Sequence, residues 1–335
     1  MQTVFVIGLG SMGKRRVRNL VRLGVTRIVG FDPRADRRDE AKAQSPRLEV
    51  VLDASAGFEA PPDAVVISTP PELHVGYARE AVRRGLPFFM EASVLDHNMK
   101  VLASEAAAAG VVAAPSCTLR FQPSVKRMKA LVDEGRVGQI FAYTHHSGQY
   151  LPDWHPWEDY RRFYAGQRMT GACREIVPFE FAWLTWLAGR VNAVTAMKGR
   201  VGDLDVDIDD VYQVLVRHEN GALGHLLVDV LSRTAIRRCT IVGSKGVLEW
   251  DWSKKRVTLF EAQTRDPIVF EEQSGAVYAG YVHAEAPYVE EMETYLAAVR
   301  GERQWPYTLR DDLDGLRLLQ AAESSSMAQA AFPDV

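Results

Sequence analysis

The sequence predicts two domains of different classes: a doubly wound α/β domain over residues 1–118, then an α+β domain over 119–335 with a large, mostly antiparallel open sheet. Three observations predict it. At 335 residues the chain exceeds what one core usually serves. Its first third alternates buried apolar strands with helical stretches, the pattern of a parallel sheet covered on both faces. Beyond residue 118, strand candidates follow one another with few helices and with short turns between them.

The first element is Val4-Phe5-Val6-Ile7, a buried strand running into Gly8-Leu9-Gly10-Ser11-Met12-Gly13 and a helix carrying Val17, Leu20 and Val21 on one face. Gly8 allows the tight turn, Gly10 lets backbone approach a pyrophosphate, and Gly13 lets helix pack close to strand. The helix N-terminus then offers N–H groups and partial positive charge to an anion. A second strand, Arg27-Ile28-Val29-Gly30-Phe31, ends in Asp32, 24 residues after Gly8, where an acid holds the adenosine ribose hydroxyls. Strand, glycine turn, helix, strand and acid in order predict a dinucleotide site of Rossmann type. A carboxylate at Asp32 repels a 2′-phosphate and favours NAD. Arg34, Arg37 and Arg38 either reverse that preference or form the solvated face of the next helix, so NADP stays open.

The alternation continues with a polar helix over 35–45, a strand at 48–51, and Ala64 to Ser68. That strand ends in Thr69-Pro70-Pro71-Glu72-Leu73-His74, whose prolines stop pairing and open a loop on the ligand side of the sheet. A helix over 74–84 precedes Pro87-Phe88-Phe89-Met90, which ends in Glu91-Ala92-Ser93. An alanine-rich helix over 98–109 leads to a last strand at 111–114. In the second half, strands are expected at 139–146, 191–199, 211–218, 222–230, 237–242 and 247–251. Glu219-Asn220-Gly221 and Ser244-Lys245-Gly246 are hairpin turns. Helices are expected at 123–134 and 179–187, with the proline of Pro178 in the first turn of the latter. Tail helices at 288–300 and 309–329 are expected to pack back on the first domain.

Composition narrows the partners. A net charge of −3 gives no footprint for nucleic acid or an anionic membrane. Small molecules are the expected ligands. Cys117, Cys173 and Cys239 are odd in number and lack metal-ligand spacing, which fits a reducing cytoplasm and no metal. The chain runs straight into the glycine strand, which leaves no room for a signal peptide, and no apolar run reaches the ~18 residues of a membrane span.

These residues resemble the glucose-fructose oxidoreductase, inositol dehydrogenase and MocA family of NAD(P)-dependent sugar oxidoreductases. The likeness covers nearly the whole chain. It rests on Gly8 to Gly13, Ser68 to His74, Leu119-Arg120-Phe121-Gln122-Pro123, Glu219 to Gly224, and Gly243-Ser244-Lys245-Gly246. The run Tyr150 to Arg161 is similar to a subgroup associated with nucleotide-sugar and secondary-metabolite pathways. The resemblance implies cofactor contacts at Gly8, Gly10, Ser11, Met12, Gly13, Asp32, Arg34, Thr69, Pro70, His74, Glu91 and Arg120. Two departures accompany it. The family's usual Glu-Lys-Pro reads Glu91-Ala92-Ser93 here, and the family's later Asp and His fall on Glu175 and Phe179, with a further Asp falling on Ala182. A one-residue shift would leave Glu180 near the site.

Hydride transfer at a carbinol needs a proton moved at the same carbon's oxygen. The candidates are His155, in an aromatic loop with Tyr150, Trp154, Trp157 and Tyr160, then Tyr150 itself, and Glu175 near a helix start. Trp154, Arg161 and Arg174 are candidate substrate contacts. Each has a plainer alternative: the loop is a packed lid or subunit contact, Glu175 pairs with Arg174, and Arg120 bridges domains. Of His145 and His146, on opposite faces of one strand, at most one faces the cleft. The expected activity is NAD(P)-dependent oxidation or reduction of a sugar, nucleotide sugar or sugar-like alcohol. The alternative is a cofactor-bound protein without ordinary dehydrogenase turnover. An open sheet face needs cover, which predicts a homodimer or homotetramer.

Overall fold

The computed structural model describes all residues except 1, 2, 60, 157, 265, 273, 274, 276, 278–283 and 328–335. Trp157 of the aromatic loop and the expected end of the tail helix at Gln329 therefore lie outside the described residues. Two compact units are present, Met1–Phe121 with Glu285–Leu313, and Gln122–Ala284 with Asp314–Val335.

In the first unit, six parallel strands stand in the order β3-β2-β1-β4-β5-β6. They are β1 (Thr3–Ile7), β2 (Arg27–Phe31), β3 (Leu48–Val51), β4 (Ala64–Ile67), β5 (Phe88–Met90) and β6 (Ala113–Pro115). The helices between them are α1 (Ser11–Arg22), α2 (Ala35–Gln44), α3 (Ala54–Glu59), α4 (Pro71–Arg83) and α5 (Met99–Ala109). This strand order reverses direction between β1 and β4, and ligands bind outside the carboxyl ends of strands at such a switch point. β4 is apolar throughout and β1 is so after Thr3, and both are wholly buried, as central parallel strands covered on both faces must be.

The unit also contains α8 (Ala286–Val299), one of the two tail helices. Apolar burial holds it there. Met292, Tyr295 and Leu296 join one cluster with Val4, Val66, Leu20 and Phe89, and the Tyr295 hydroxyl donates to the Val65 carbonyl at 3.0 Å. Side chains of this size are each worth roughly 1.5–3 kcal/mol when buried.

The second unit holds an eight-stranded sheet in the order β14-β13-β12-β11-β7-β10-β9-β8. Its strands are β7 (Ile140–Gly148), β8 (Val191–Gly199), β9 (Val211–His218), β10 (Leu223–Asp229), β11 (Ile236–Gly243), β12 (Gly246–Asp251), β13 (Arg256–Glu261) and β14 (Pro267–Glu271). All neighbours are antiparallel except β7 with β10. The expected hairpin turns join β9 to β10 and β11 to β12, the first with Gly221 at φ +90°. β13 and β14 extend the sheet beyond the strands expected. The other helices are α6 (Pro123–Asp133), α7 (Ala172–Ala188) and α9 (Leu309–Met327). α7 begins at Ala172 and not near Pro178, so Pro178 lies inside it. A proline there removes one N–H from the helix ladder, a loss offset by the burial of Ala172, Cys173 and Val177 in the turns before it.

Candidate functional site

The glycine turn separates into two backbone requirements and one open space. Gly8 has φ +91°, and a Cβ there would lie 2.4 Å from the Ser68 carbonyl oxygen. A Cβ on Gly13 would lie 1.8 Å from the Gly8 carbonyl oxygen. Both positions are closed to side chains. Gly10 differs, since a Cβ there would meet only the tip of Arg37, with Nη1 at 3.3 Å. Only a movable side chain borders Gly10, as a turn built for close approach of a ligand needs. α1 starts at Ser11 with no side-chain cap on Gly10 and no acid in its first turn, which leaves its positive end available to an anion. Met12 is half-buried, its sulfur accepting from Arg15 Nη1 at 3.7 Å.

Asp32 follows β2 and is buried. Its Oδ2 accepts from the Leu9 N–H at 2.8 Å and its Oδ1 from the Arg34 N–H at 2.9 Å. The carboxylate is thus pinned to the glycine turn itself, with lone pairs to spare. The side chain of Arg34 is turned to Asp36, and Arg38 donates to the carbonyls of Asp32 and Pro33. Arg37 stands 4.0 Å from Asp32 Oδ2.

At the end of β4, the Thr69 hydroxyl is buried and makes no hydrogen bond among the described residues. Pro70 caps α4, and His74 in its first turn donates or accepts at the Thr69 carbonyl through Nε2 at 2.8 Å, while its buried Nδ1 has no partner there. Burial holds the His74 imidazole below its ordinary pKa, so it is neutral at pH 7. At the end of β5, Glu91 is bonded twice by Arg16, at 2.7 and 2.9 Å, and by the Ser68 hydroxyl at 3.1 Å. Arg16 is fully buried and also reaches Glu291 at 2.9 Å. Glu291 in turn accepts from Ser116, the Cys117 N–H and Thr118. Arg16 therefore ties α1 to the ends of β5 and β6. Nothing in the sequence marks it among the basic residues of α1, because burial of an arginine depends on partners 75 and 275 positions away in the chain. Arg120 is half-buried over the Tyr307 ring at 4.7 Å and donates to the Pro306 carbonyl at 2.8 Å.

The second unit gathers some of the remaining candidates and disperses others. His155 packs edge-on to Phe163, with ring centres 5.5 Å apart, and the neighbouring Tyr164 hydroxyl donates to Glu175 at 3.2 Å. His155 and Glu175 are thereby linked through one aromatic pair. Trp154 is half-buried, with its Nε1 in no hydrogen bond among the described residues. Tyr150 lies under the Arg233 guanidinium at 3.8 Å. Two arginines are already occupied. Arg174 forms a fork with Glu323 at 2.7 and 3.1 Å, and Arg161 pairs with Asp159 and Asp205 at the surface. Glu175 thus meets Tyr164, and Arg174 meets Glu323.

Glu180 is wholly buried and faces the core. It accepts from Trp183 Nε1 at 2.6 Å and from Arg237 at 3.0 Å, and lies 3.0 Å from His145 Nε2. Burial alone would raise its pKa, but Arg237 and His145 hold it well below the usual carboxylate range. His145 is the strand residue on that inner face. His146, on the other, bonds Asp229 at 2.7 Å.

Residues 2–113 match the model of the oxidoreductase family with an NAD-binding Rossmann fold, and residues 125–249 match the GFO/IDH/MocA C-terminal domain. The chain belongs to the GFO/IDH/MocA oxidoreductase family. A relative, the uncharacterized oxidoreductase YrbE of Bacillus subtilis (strain 168), is 25% identical over 96% of this chain and 93% of its own length. Two solved structures share the fold. An oxidoreductase from Agrobacterium radiobacter in complex with NAD+, L-tartaric acid and magnesium has a TM-score of 0.85 at 17% identity, covering 97% of this chain and 96% of that one. A levoglucosan dehydrogenase in complex with NADH and levoglucosan has a TM-score of 0.84 at 18% identity, covering 98% and 97%. Within this NAD-binding oxidoreductase family, the chain carries Ala92 and Ser93 after Glu91.

Proposed function

We propose that the protein uses NAD to oxidise or reduce an alcohol carbon of a sugar, nucleotide sugar or sugar-like compound. The observation that carries the cofactor half is Asp32, pinned by the Leu9 N–H at 2.8 Å beside a glycine turn open only at Gly10. A buried carboxylate in that place takes ribose hydroxyls and rejects a 2′-phosphate. Arg34 and Arg38 are engaged elsewhere, which supports NAD over NADP. The N-terminus of α1 would hold the pyrophosphate. Thr69 and His74, with buried polar atoms to satisfy, would hold the groups beyond it. When bound, NAD exchanges a hydride at its nicotinamide ring.

The alcohol loses a hydride from carbon and a proton from oxygen to become a carbonyl, and the reverse direction returns both. Ala92 has no proton to move. That work falls to His155, Tyr150 or Glu175, with Trp154 as an apolar platform for a sugar ring. The aromatic setting of His155 and the Tyr164–Glu175 hydrogen bond support this assignment. Arg161 in its loop and Arg174 at the start of α7 are held by ion pairs and would reach substrate only by exchanging Asp205 or Glu323 for it. The levoglucosan dehydrogenase that shares the fold supports the sugar-like class.

Titration with NADH, followed by a screen of sugars, cyclitols and sugar nucleotides for a change in nicotinamide absorbance, tests the reading. With a substrate in hand, His155→Ala, Tyr150→Phe and Glu175→Gln are made singly. Loss of a positioned acid or base lowers turnover by ~10² to 10⁴. If none of the three lowers it while Ala92→Lys raises it, the proton assignment is wrong.

The protein is further proposed to be a cytoplasmic homodimer or homotetramer joined through the outer face of the eight-stranded sheet. Leu215, Leu223 and Val242 lie exposed together on that face, and apolar side chains grouped at a surface favour cover by a partner. Three buried free cysteines suit a reducing compartment, and no helix of the described residues is long and apolar enough to cross a membrane.

A further inference from the structure

Behind the Glu91-Ala92-Ser93 segment stands a carboxyl that the proposed reaction does not use. Asp312, in the first turn of α9, is buried, as are Ser93 and Tyr307 beside it. The Tyr307 hydroxyl is 3.4 Å from Asp312 Oδ1. The Ser93 hydroxyl is close enough to favour the ionised carboxylate, yet neither it nor Asp312 Oδ2 completes a hydrogen bond among the described residues. Two unsatisfied buried polar groups side by side are costly, and each such group asks for a reason. We propose that Asp312 is a positioning residue for the Glu91–Ser93 segment, drawing the Ser93 hydroxyl to itself when ionised and releasing it when protonated. The proposal rests on the NAD reading above, which gives that segment its place at the cofactor.

The surroundings make this carboxyl the group that titrates. Burial raises Asp312 to about 6, against a partial lowering by Ser93 and Tyr307, with neighbouring Asp311 raising it further. Burial also pushes the Tyr307 hydroxyl and the Cys117 thiol well above their ordinary values, so both stay neutral through that range. Arg120 remains a cation over the Tyr307 ring. Asp311 points outward and caps α9 through the Thr308 N–H and hydroxyl. Below its pKa, Asp312 is a neutral acid suited to an apolar site. Above it, the carboxylate needs donors, and Ser93 and Tyr307 are the two at hand. Because Ser93 follows Ala92 directly, that demand acts on the strand end which in the family usually carries the lysine.

Two readouts on the intact protein test this. The first needs no cofactor: melting temperature against pH for wild type and Asp312→Asn. A carboxyl raised in the folded state stabilises least when ionised, so wild type should lose stability relative to the variant as pH rises from about 4 to about 6, by several degrees. The second is the NADH dissociation constant over the same range. Wild type should show a step near pH 6 of roughly three- to tenfold, absent in Asp312→Asn and Ser93→Ala and retained in Ser93→Thr, which keeps the hydroxyl. A step that persists in Asp312→Asn or Ser93→Ala, or a flat wild-type profile, overturns the proposal. Failure to bind NADH at any pH would instead overturn the nucleotide reading, and the segment's role with it.

Discussion

At the scale of single residues, ion pairs decide which titratable groups are free for chemistry. Glu180 sits at the centre of a buried set with Arg237, His145 and Trp183, and its charge is what those donors require. Removing it strands the Arg237 guanidinium in the core. Glu180→Ala should therefore cost about 3–5 kcal/mol, read by denaturant titration. The same pairing sets a pH dependence. Its pKa lies below the unfolded value, so the stabilisation is present above about pH 4.4 and is lost as pH falls through the lower folded value. Acid titration of wild type against Glu180→Gln should show a steeper fall for wild type. Equal slopes would mean that the network contributes little. Glu180 was readable in the sequence only as a neighbour of the site. Its partners on β7 and β11 come from sequence-distant segments, which no local pattern reveals.

At the scale of elements, period and turn chemistry were sufficient where a segment's fate is local. β2, β8 and β9 run over the residues their apolar patterns indicate, and the Asn220-Gly221 turn joins a hairpin because glycine alone takes φ +90° without cost. β13 and β14 were not anticipated. β14 opens on Pro267 and alternates over only five residues, a pattern allowed only at the edge it occupies. The start of α7 was misplaced for a related reason: Pro178 reads as a first-turn residue, whereas burial of Ala172 and Cys173 carries the helix back past it. In the first unit, the α1–β1 junction depends on Gly13. With 1.8 Å between a Cβ there and the Gly8 carbonyl oxygen, Gly13→Ala must move backbone. We expect a loss of about 1–3 kcal/mol in stability together with weakened NADH binding. Unchanged melting would show that the turn relaxes freely.

For the whole molecule, the fold and the cofactor were legible because a dinucleotide turn compresses its requirements into a few adjacent positions. The proton donor is not legible in this way, since the proposed His155, Tyr150 and Glu175 lie in loops or near a helix start, whose spacing carries no fixed signature. The proposed oligomer would use the sheet's outer face, where Leu215→Asp with Leu223→Asp should shift sedimentation at micromolar concentration from dimer or tetramer to monomer. A wild type that already sediments as a monomer would show that this face needs no partner. The central claim is that unit 1 is an NAD site built on the Gly8–Gly13 turn and Asp32, and calorimetry of NADH on wild type and Gly10→Val tests it most directly. A valine at Gly10 meets only the Arg37 tip, so the variant should fold with an unchanged melting temperature and lose detectable binding. Equal binding by a folded Gly10→Val and wild type would contradict the account.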